Sequence, residues 1–251
     1  MPVWLKAFRA SFTFLTRIPV GGFPYPPKTW QWISIWFPLV GALMGCLQAL
    51  IWWGLQGYSD PTRVLVAVLF GVVITGGFHE DGLADSIDAL GGAYDPDNVL
   101  RILKDSRIGA FGALALILAL MLKVSILVDL GAMAPVGFIL GQSLSRALPV
   151  IQLGIQPYVR REDPASKSRD VARSGRPQAV IALMWVAVLC GAGFSSGVAP
   201  VTLAQCIGSL VVVGVVFGVY VQRRAGGLTG DFMGALQQLG ELGILMVLAA
   251  P

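Results

Sequence analysis

Charge is scarce in this sequence. Of its 251 residues only 18 are Lys or Arg and 14 are Asp or Glu, a charged share of 13%, about half of what a water-soluble domain carries. A soluble globule is thereby excluded. Histidine is scarcer still: His79 stands alone, so a multi-histidine metal centre is excluded as well. The three cysteines, Cys46, Cys190 and Cys206, lie far apart inside apolar runs and form no C-x-x-C pair. That leaves neither a disulfide framework nor a zinc site, and the three read as small core hydrophobes. No P-loop, no G-x-S-x-G elbow and no Cys/His pair is present, so ATPase and covalent chemistry have no support. A cleavable signal peptide is not expected either, because Lys6, Arg9 and Arg17 interrupt the first apolar stretch. The 31 Gly and 15 Pro follow no period, which argues against collagen-like structure.

What the chain has in abundance is apolar side chains, 55% of the total. A spanning helix needs about 20 such residues. Charge-free or nearly charge-free runs predict spans near 33–55, 64–78, 108–128 and 134–156, two more within the 46 uncharged residues between Arg176 and Arg223, and a last near 236–250. Tryptophans at both ends of the first span resemble the two aromatic belts of a membrane helix. The expected fold is all-α: one integral-membrane domain over 1–251, a polytopic bundle of about seven spans. It is preceded by an amphipathic helix over 3–18, with Trp4, Phe8, Phe12 and Leu15 on the face that meets the lipid bilayer.

The sign of the loops supports this arrangement. With the N-terminus inside, all but Arg63, Lys123 and Arg146 of the 18 basic residues fall on the cytoplasmic side. The net charge of +4 therefore reads as topology, and no nucleic-acid partner is expected. Three polar loops share that side: 79–107, the basic loop 158–177, and 223–231. Lys123 is expected to snorkel outward. Arg146 and Glu241 fall at equal depth and are expected to form a buried pair, structural glue or the floor of a polar cavity.

Half of the 14 acids crowd into 79–107. Asp81, Asp85 and Asp88 recur at i, i+4 and i+7, which on a helix puts three carboxylates on one face. Carboxylates so close repel unless a cation sits among them, and oxygen ligands favour a hard divalent ion such as Mg²⁺. Their plain reading is a solvated acidic face. Arg101, Lys104 and Arg107 bracket Asp105 just before the third long run, where they could neutralise a diphosphate or merely mark a cytoplasmic helix end. Asp105 or Ser106 could cap that helix. His79 could start a helix or donate to phosphate. In 226–241, Thr229 or Asp231 could cap the last helix, and Gly230 with Gly234, like Gly41 with Gly45, makes a G-x-x-x-G contact surface. The latter pair could pack within one subunit or between two, so a homo-oligomer is compatible with it. The chemistry these residues suggest is Mg²⁺-dependent phosphoryl transfer, with cation transport through the acids as the competing class.

The motifs also carry a resemblance. The runs Thr75-Gly-Gly-Phe-His-Glu-Asp-Gly-Leu-Ala-Asp-Ser-Ile-Asp88, Ile102-Leu-Lys-Asp-Ser-Arg-Ile-Gly-Ala-Phe-Gly112 and Gly226-Gly-Leu-Thr-Gly-Asp-Phe-Met-Gly-Ala235, with Phe14-Leu-Thr-Arg-Ile-Pro19 and Trp36-Phe-Pro-Leu-Val-Gly41, resemble the adenosylcobinamide-GDP ribazoletransferases, the cobalamin synthases. Ser86 and Ala89 stand where that family more often has Thr and Gly. The resemblance implies a Mg²⁺-dependent inner-membrane enzyme with its active site facing the cytoplasm. It would join adenosylcobinamide-GDP to α-ribazole or its 5′-phosphate, releasing GMP, with the 5′-oxygen of the ribazole attacking the β-phosphate. It further implies Asp81, Asp85 and Asp88 as metal ligands and, with Asp231, as catalytic residues. His79, Lys104, Asp105, Arg107 and Thr229 would bind substrate; Arg101 and Arg146, outside the motif correspondence, are added as substrate-binding candidates from their own placement. Asp81-Gly-Leu-Ala84 is also similar to the CDP-alcohol phosphotransferases, whose Arg after the Ala is Asp85 here.

Overall fold

The computed structural model describes residues 2–159, 171 and 174–250, and these build an all-helical bundle with a single β contact, a bridge between Tyr158 and Leu228. Twelve α-helices follow in order among the described residues: α1 (Val3–Leu15), α2 (Pro27–Trp30), α3 (Phe37–Gly54), α4 (Asp60–Thr75), α5 (Phe78–Gly92), α6 (Pro96–Ile102), α7 (Ala110–Asp129), α8 (Ala134–Ser145), α9 (Ala147–Leu153), α10 (Arg176–Ser195), α11 (Pro200–Ala225) and α12 (Gly230–Leu248). The expected basic loop 158–177 falls mostly outside the described residues.

Five helical stretches among the described residues are long and apolar enough to cross a membrane: Ile33–Gly54, Ala110–Asp129, Gly131–Leu153, Arg176–Ser195 and Pro200–Ala225. A sixth arises if α4 and α5 count as one span broken by an 85° bend. The expected count was seven, and α12 makes the difference. It packs against α5, α7, α8, α9 and α11, so protein rather than lipid covers it. A helix shielded in this way can carry Gln237, Gln238 and Glu241 along its buried length, which lowers its apolarity below that of a lipid-facing span.

The bend is written in two glycines. Gly76 and Gly77 both lie in the left-handed region, at φ +68° and +66°, where a side chain would be strained. The Gly77 amide donates to the Val72 carbonyl at 2.8 Å and the Gly76 amide to Val73 at 3.1 Å, closing α4 as a Schellman turn. The acids therefore lie on a separate helix, turned away from the second apolar run.

Close helix approaches are also set by glycine. A Cβ at Gly41 would collide with the Gln142 carbonyl oxygen, and one at Gly45 would lie 2.5 Å from that of Phe138, so the pair seats α3 on α8 within the chain. Helix α1 ends at Leu15, and the face it buries is Ala7, Ala10, Ser11 and Leu15, with Trp4 exposed. Small residues let this face approach the bundle closely, while Phe8 and Phe12 pack at its edge.

One end of the bundle gathers α1, the α4–α5 bend, the end of α9, the end of α11 and the start of α12. The Arg17 amide donates to the Ile74 carbonyl at 2.7 Å, Leu228 to the Pro157 carbonyl at 2.8 Å, and the Arg224 guanidinium to the carbonyls of Leu90 and Ala93 at the end of α5. At the opposite end the guanidinium of Arg63 lies 3.6 Å over the Trp52 ring and donates to Asp60 at 2.7 Å.

Candidate active site

Helix α5 carries the acids, with Asp81, Asp85 and Asp88 along one face and Glu80 turned into the bundle. Asp81 is exposed, Asp85 and Asp88 are half-buried, and His79 and Glu80 are buried. The crossing with α12 is what brings Asp231 to them. A Cβ at Gly82 would lie 2.9 Å from the Asp231 carbonyl oxygen and 3.1 Å from the Gly234 Cα, so two backbones touch where side chains would hold them apart. Asp231 thereby sits in the first turn of α12, against the part of α5 that carries Asp81 and Asp85. Thr229 supplies the cap: its Oγ1 accepts from the Phe232 amide at 3.2 Å, and a carboxylate in the first turn is favoured by the helix dipole.

Asp88 has a structural duty. Its two oxygens accept from the amides of Gly109 at 2.7 Å and Gly112 at 2.8 Å, capping α7 from a different helix. This corrects the expectation that Asp105 or Ser106 caps that helix; the residue at the cap position is Gly109. Each Asp88 oxygen keeps a second lone pair. Among the described residues no three carboxylate, imidazole or thiol groups stand close enough together to hold one ion.

The same two hydrogen bonds tie the segment 104–109 to the second half of α5. On it Asp105 accepts from Arg107 Nε at 2.9 Å and Nη2 at 2.6 Å, and this pairing holds its carboxyl down to about 2. Arg107 is 87% exposed. Arg101 and Lys104 are exposed too, and Arg101 donates to Asn98 at 3.1 Å. The structure does not bring Arg146 to this basic group. It lies within the bundle, 2% exposed.

Beneath the acids the bundle is polar. Lys123 Nζ donates to Glu241 at 3.1 Å and to Gln238 at 2.9 Å, and Glu241 also accepts from Gln142 and Gln237, each at 2.9 Å. Gln238 donates to Glu80 at 3.0 Å. Arg146 donates to the backbone carbonyl of Gln142 at 2.7 Å and to its side-chain oxygen. Two expectations are corrected. Lys123 does not snorkel, because Glu241 offers it an ion pair inside the bundle, and Arg146 meets Glu241 only through Gln142. Sequence reasoning picked out Gln238 and Glu241 and missed Gln142 and Gln237, yet Gln237 and Gln238, four and three residues before Glu241, share a helix face with it.

The family model of cobalamin-5-phosphate synthase matches residues 7–249. An adenosylcobinamide-GDP ribazoletransferase of Shewanella amazonensis is 38% identical, with 97% of this chain and 95% of that one covered. One of Shewanella baltica is 37% identical, with 97% and 94% covered. No solved structure matches.

Proposed function

The chain belongs to the cobalamin-5-phosphate synthase family, and from that premise we propose that it transfers the adenosylcobinamide phosphate of adenosylcobinamide-GDP to α-ribazole or its 5′-phosphate, releasing GMP. A ribose oxygen of the acceptor attacks the phosphorus attached to cobinamide, the bond from that phosphorus to the GMP oxygen breaks, and the proton passes to a carboxylate of the site. The family's description names a product that carries a 5-phosphate. An oxygen already esterified cannot be the nucleophile, so the expected attack by the 5′-oxygen gives way to attack by another ribose hydroxyl.

The observation that supports this reading best is the backbone contact of Gly82 with Asp231 and Gly234, which joins acids from two helices at one end of the bundle. These are oxygen donors only, the set that suits Mg²⁺, and Mg²⁺ commonly binds through one or two carboxylates together with substrate phosphates. Two carboxylates, Asp231 and either Asp81 or Asp85, would hold it, with the substrate phosphates as further ligands, while Asp88 keeps its place as the cap of α7. When bound, the ion would offset the charge of the diphosphate. Lys104 and Arg107, exposed beside the C-terminal half of α5, meet the departing phosphate as point charge and fork respectively. Asp231 or Asp81 takes the proton.

The end that carries α5 also carries Arg17, Arg101, Lys104, Arg107, Arg223 and Arg224, whereas the opposite end has Arg63 alone among the described residues. By the positive-inside rule the acids face the cytoplasm, in the inner membrane. The test is direct: purified protein is incubated with adenosylcobinamide-GDP, α-ribazole and Mg²⁺, and GMP and corrinoid product are counted. Equal amounts of both, lost on chelation of divalent ions, are expected. GMP without joined corrinoid, or no GMP, overturns the proposal.

A further inference from the structure

Two of the sequence motifs contain no carboxylate. Phe14 belongs to the first and Phe37 to the second, and the structure brings them together with Phe78 over the site. Phe14 stacks on Phe37 with ring planes 2° apart and centroids 5.7 Å apart, and meets Phe78 edge-on at 5.3 Å. The three rings wall a cleft whose enclosed space, about 20 Å³, is little more than a water molecule needs, completed by Val150, Met233 and the glycines that begin α12.

At the floor of this apolar cleft lie two buried polar side chains, His79 at 5% and Arg146 at 2% exposed. Neither has spent its capacity. The Arg146 Nε has no hydrogen-bond partner, and the His79 ring makes no hydrogen bond among the described residues. Buried donors left unpaired are costly, and they cluster where a ligand completes them. The cleft is also in the right place. Gly230 and Gly234 line it, Asp231 lies between them in sequence, and a Cβ at Gly234 would lie 3.3 Å from the His79 carbonyl and 3.1 Å from the Gly82 Cα.

We propose that this cleft seats the base of the acceptor nucleoside, a flat apolar heteroaromatic ring of the benzimidazole type, with its ring nitrogen accepting from Arg146 or His79. The inference rests on the reaction proposed above. Of the groups that reaction brings, only this base suits the walls. Guanine carries polar atoms along its edges, which phenyl and aliphatic walls would leave unpaired. The corrin ring with its amide side chains is too broad. A benzimidazole has one ring acceptor and otherwise apolar edges, and aromatic rings pack well against phenyl groups. The enclosed space is smaller than the base, so the base is seated only when Met233, a flexible side chain in the wall, turns aside. The ribose then leaves the mouth beside Asp231.

Two measurements test the assignment. In the wild type, free 5,6-dimethylbenzimidazole is expected to compete with α-ribazole and leave the apparent KM for adenosylcobinamide-GDP unchanged. Competition with the donor instead, or no inhibition, overturns it. In Val150→Phe, which narrows the cleft, KM for α-ribazole is expected to rise about tenfold or more while the donor KM stays within about twofold. Equal rises in both, or none, overturn it. If the wild type releases no GMP, the reaction has failed and not the cleft; equilibrium dialysis of α-ribazole against the unreacted protein then decides, binding that the free base displaces supporting the assignment and no binding refuting it. A phospholipid held in the cleft on native mass spectrometry, and not displaced by the base, also refutes it.

Discussion

Replacing Lys123 by Met removes one partner of an ion pair that water does not reach. The Lys123 and Glu241 side chains are 4% and 3% exposed and their charged atoms lie 3.1 Å apart. The variant leaves the Glu241 carboxylate with two amide donors, from Gln142 and Gln237, and takes the donor from Gln238. Stranding one charge of a buried pair costs about 3–5 kcal/mol, whereas one neutral hydrogen bond between membrane helices averages about 0.6 kcal/mol. For a chain of this size each kcal/mol lowers the midpoint of unfolding by about 2–4 °C, so Lys123→Met should lose about 6–20 °C. Glu241→Gln in the same background removes the stranded charge and should recover most of that loss. The assay is thermal unfolding of purified protein in detergent, followed by intrinsic tryptophan fluorescence. A loss below about 2 °C, the size of a single hydrogen bond, would show that the pair is not what holds α7 to α12. A double variant as unstable as the sum of the two singles would refute the coupling itself.

Three further outcomes are expected. Asp81→Asn should lose activity by about 100-fold or more with its unfolding midpoint unchanged, while Asp88→Ala should also lose about 1–2 kcal/mol of stability, because it uncaps α7; equal stability in the two variants, measured by thermal unfolding, contradicts the capping role. Gly82→Ala pushes a methyl group to within 2.9 Å of the Asp231 carbonyl oxygen and should lower turnover more than it lowers the midpoint, and full activity would show that the contact does not set the site. The Asp105 carboxyl, with its folded value depressed to about 2 by Arg107, should stay ionised far below the ordinary carboxylate range, its contribution to the fold being present above that range and lost as pH falls through the depressed value. Carbon NMR titration in the wild type should place its midpoint about two units below that seen in Arg107→Gln, and equal midpoints refute the pairing.

Much of this fold was legible because apolar run length and loop charge are direct consequences of the bilayer. The long helices lie where charge is missing, and the basic residues collect at one end. What escaped was whatever depends on neighbours. Nothing in Leu236 to Ala250 reveals that five other helices surround α12, so its polar residues looked like interruptions of a span instead of the lining of a buried network. Lys123 looked stranded for the same reason, since its partner is 118 residues away. The acids of α5 were found by spacing. Their division of labour was not, because Asp88 is drawn to the amides of Gly109 and Gly112 by a chain crossing that no local pattern encodes, and because Gly82 and Gly234 reveal their purpose only when the two helices are laid together.

The right-angled turn at Gly76 and Gly77 has one more consequence. Had the helix run straight on, each residue would have advanced about 1.5 Å along the membrane normal, and Asp88 would stand roughly 10 Å above or below Asp81. Turned sideways, α5 becomes a shelf along the rim of the bundle, with its carboxylates at nearly one height. A substrate's diphosphate can then approach those carboxylates from the flank of the bundle.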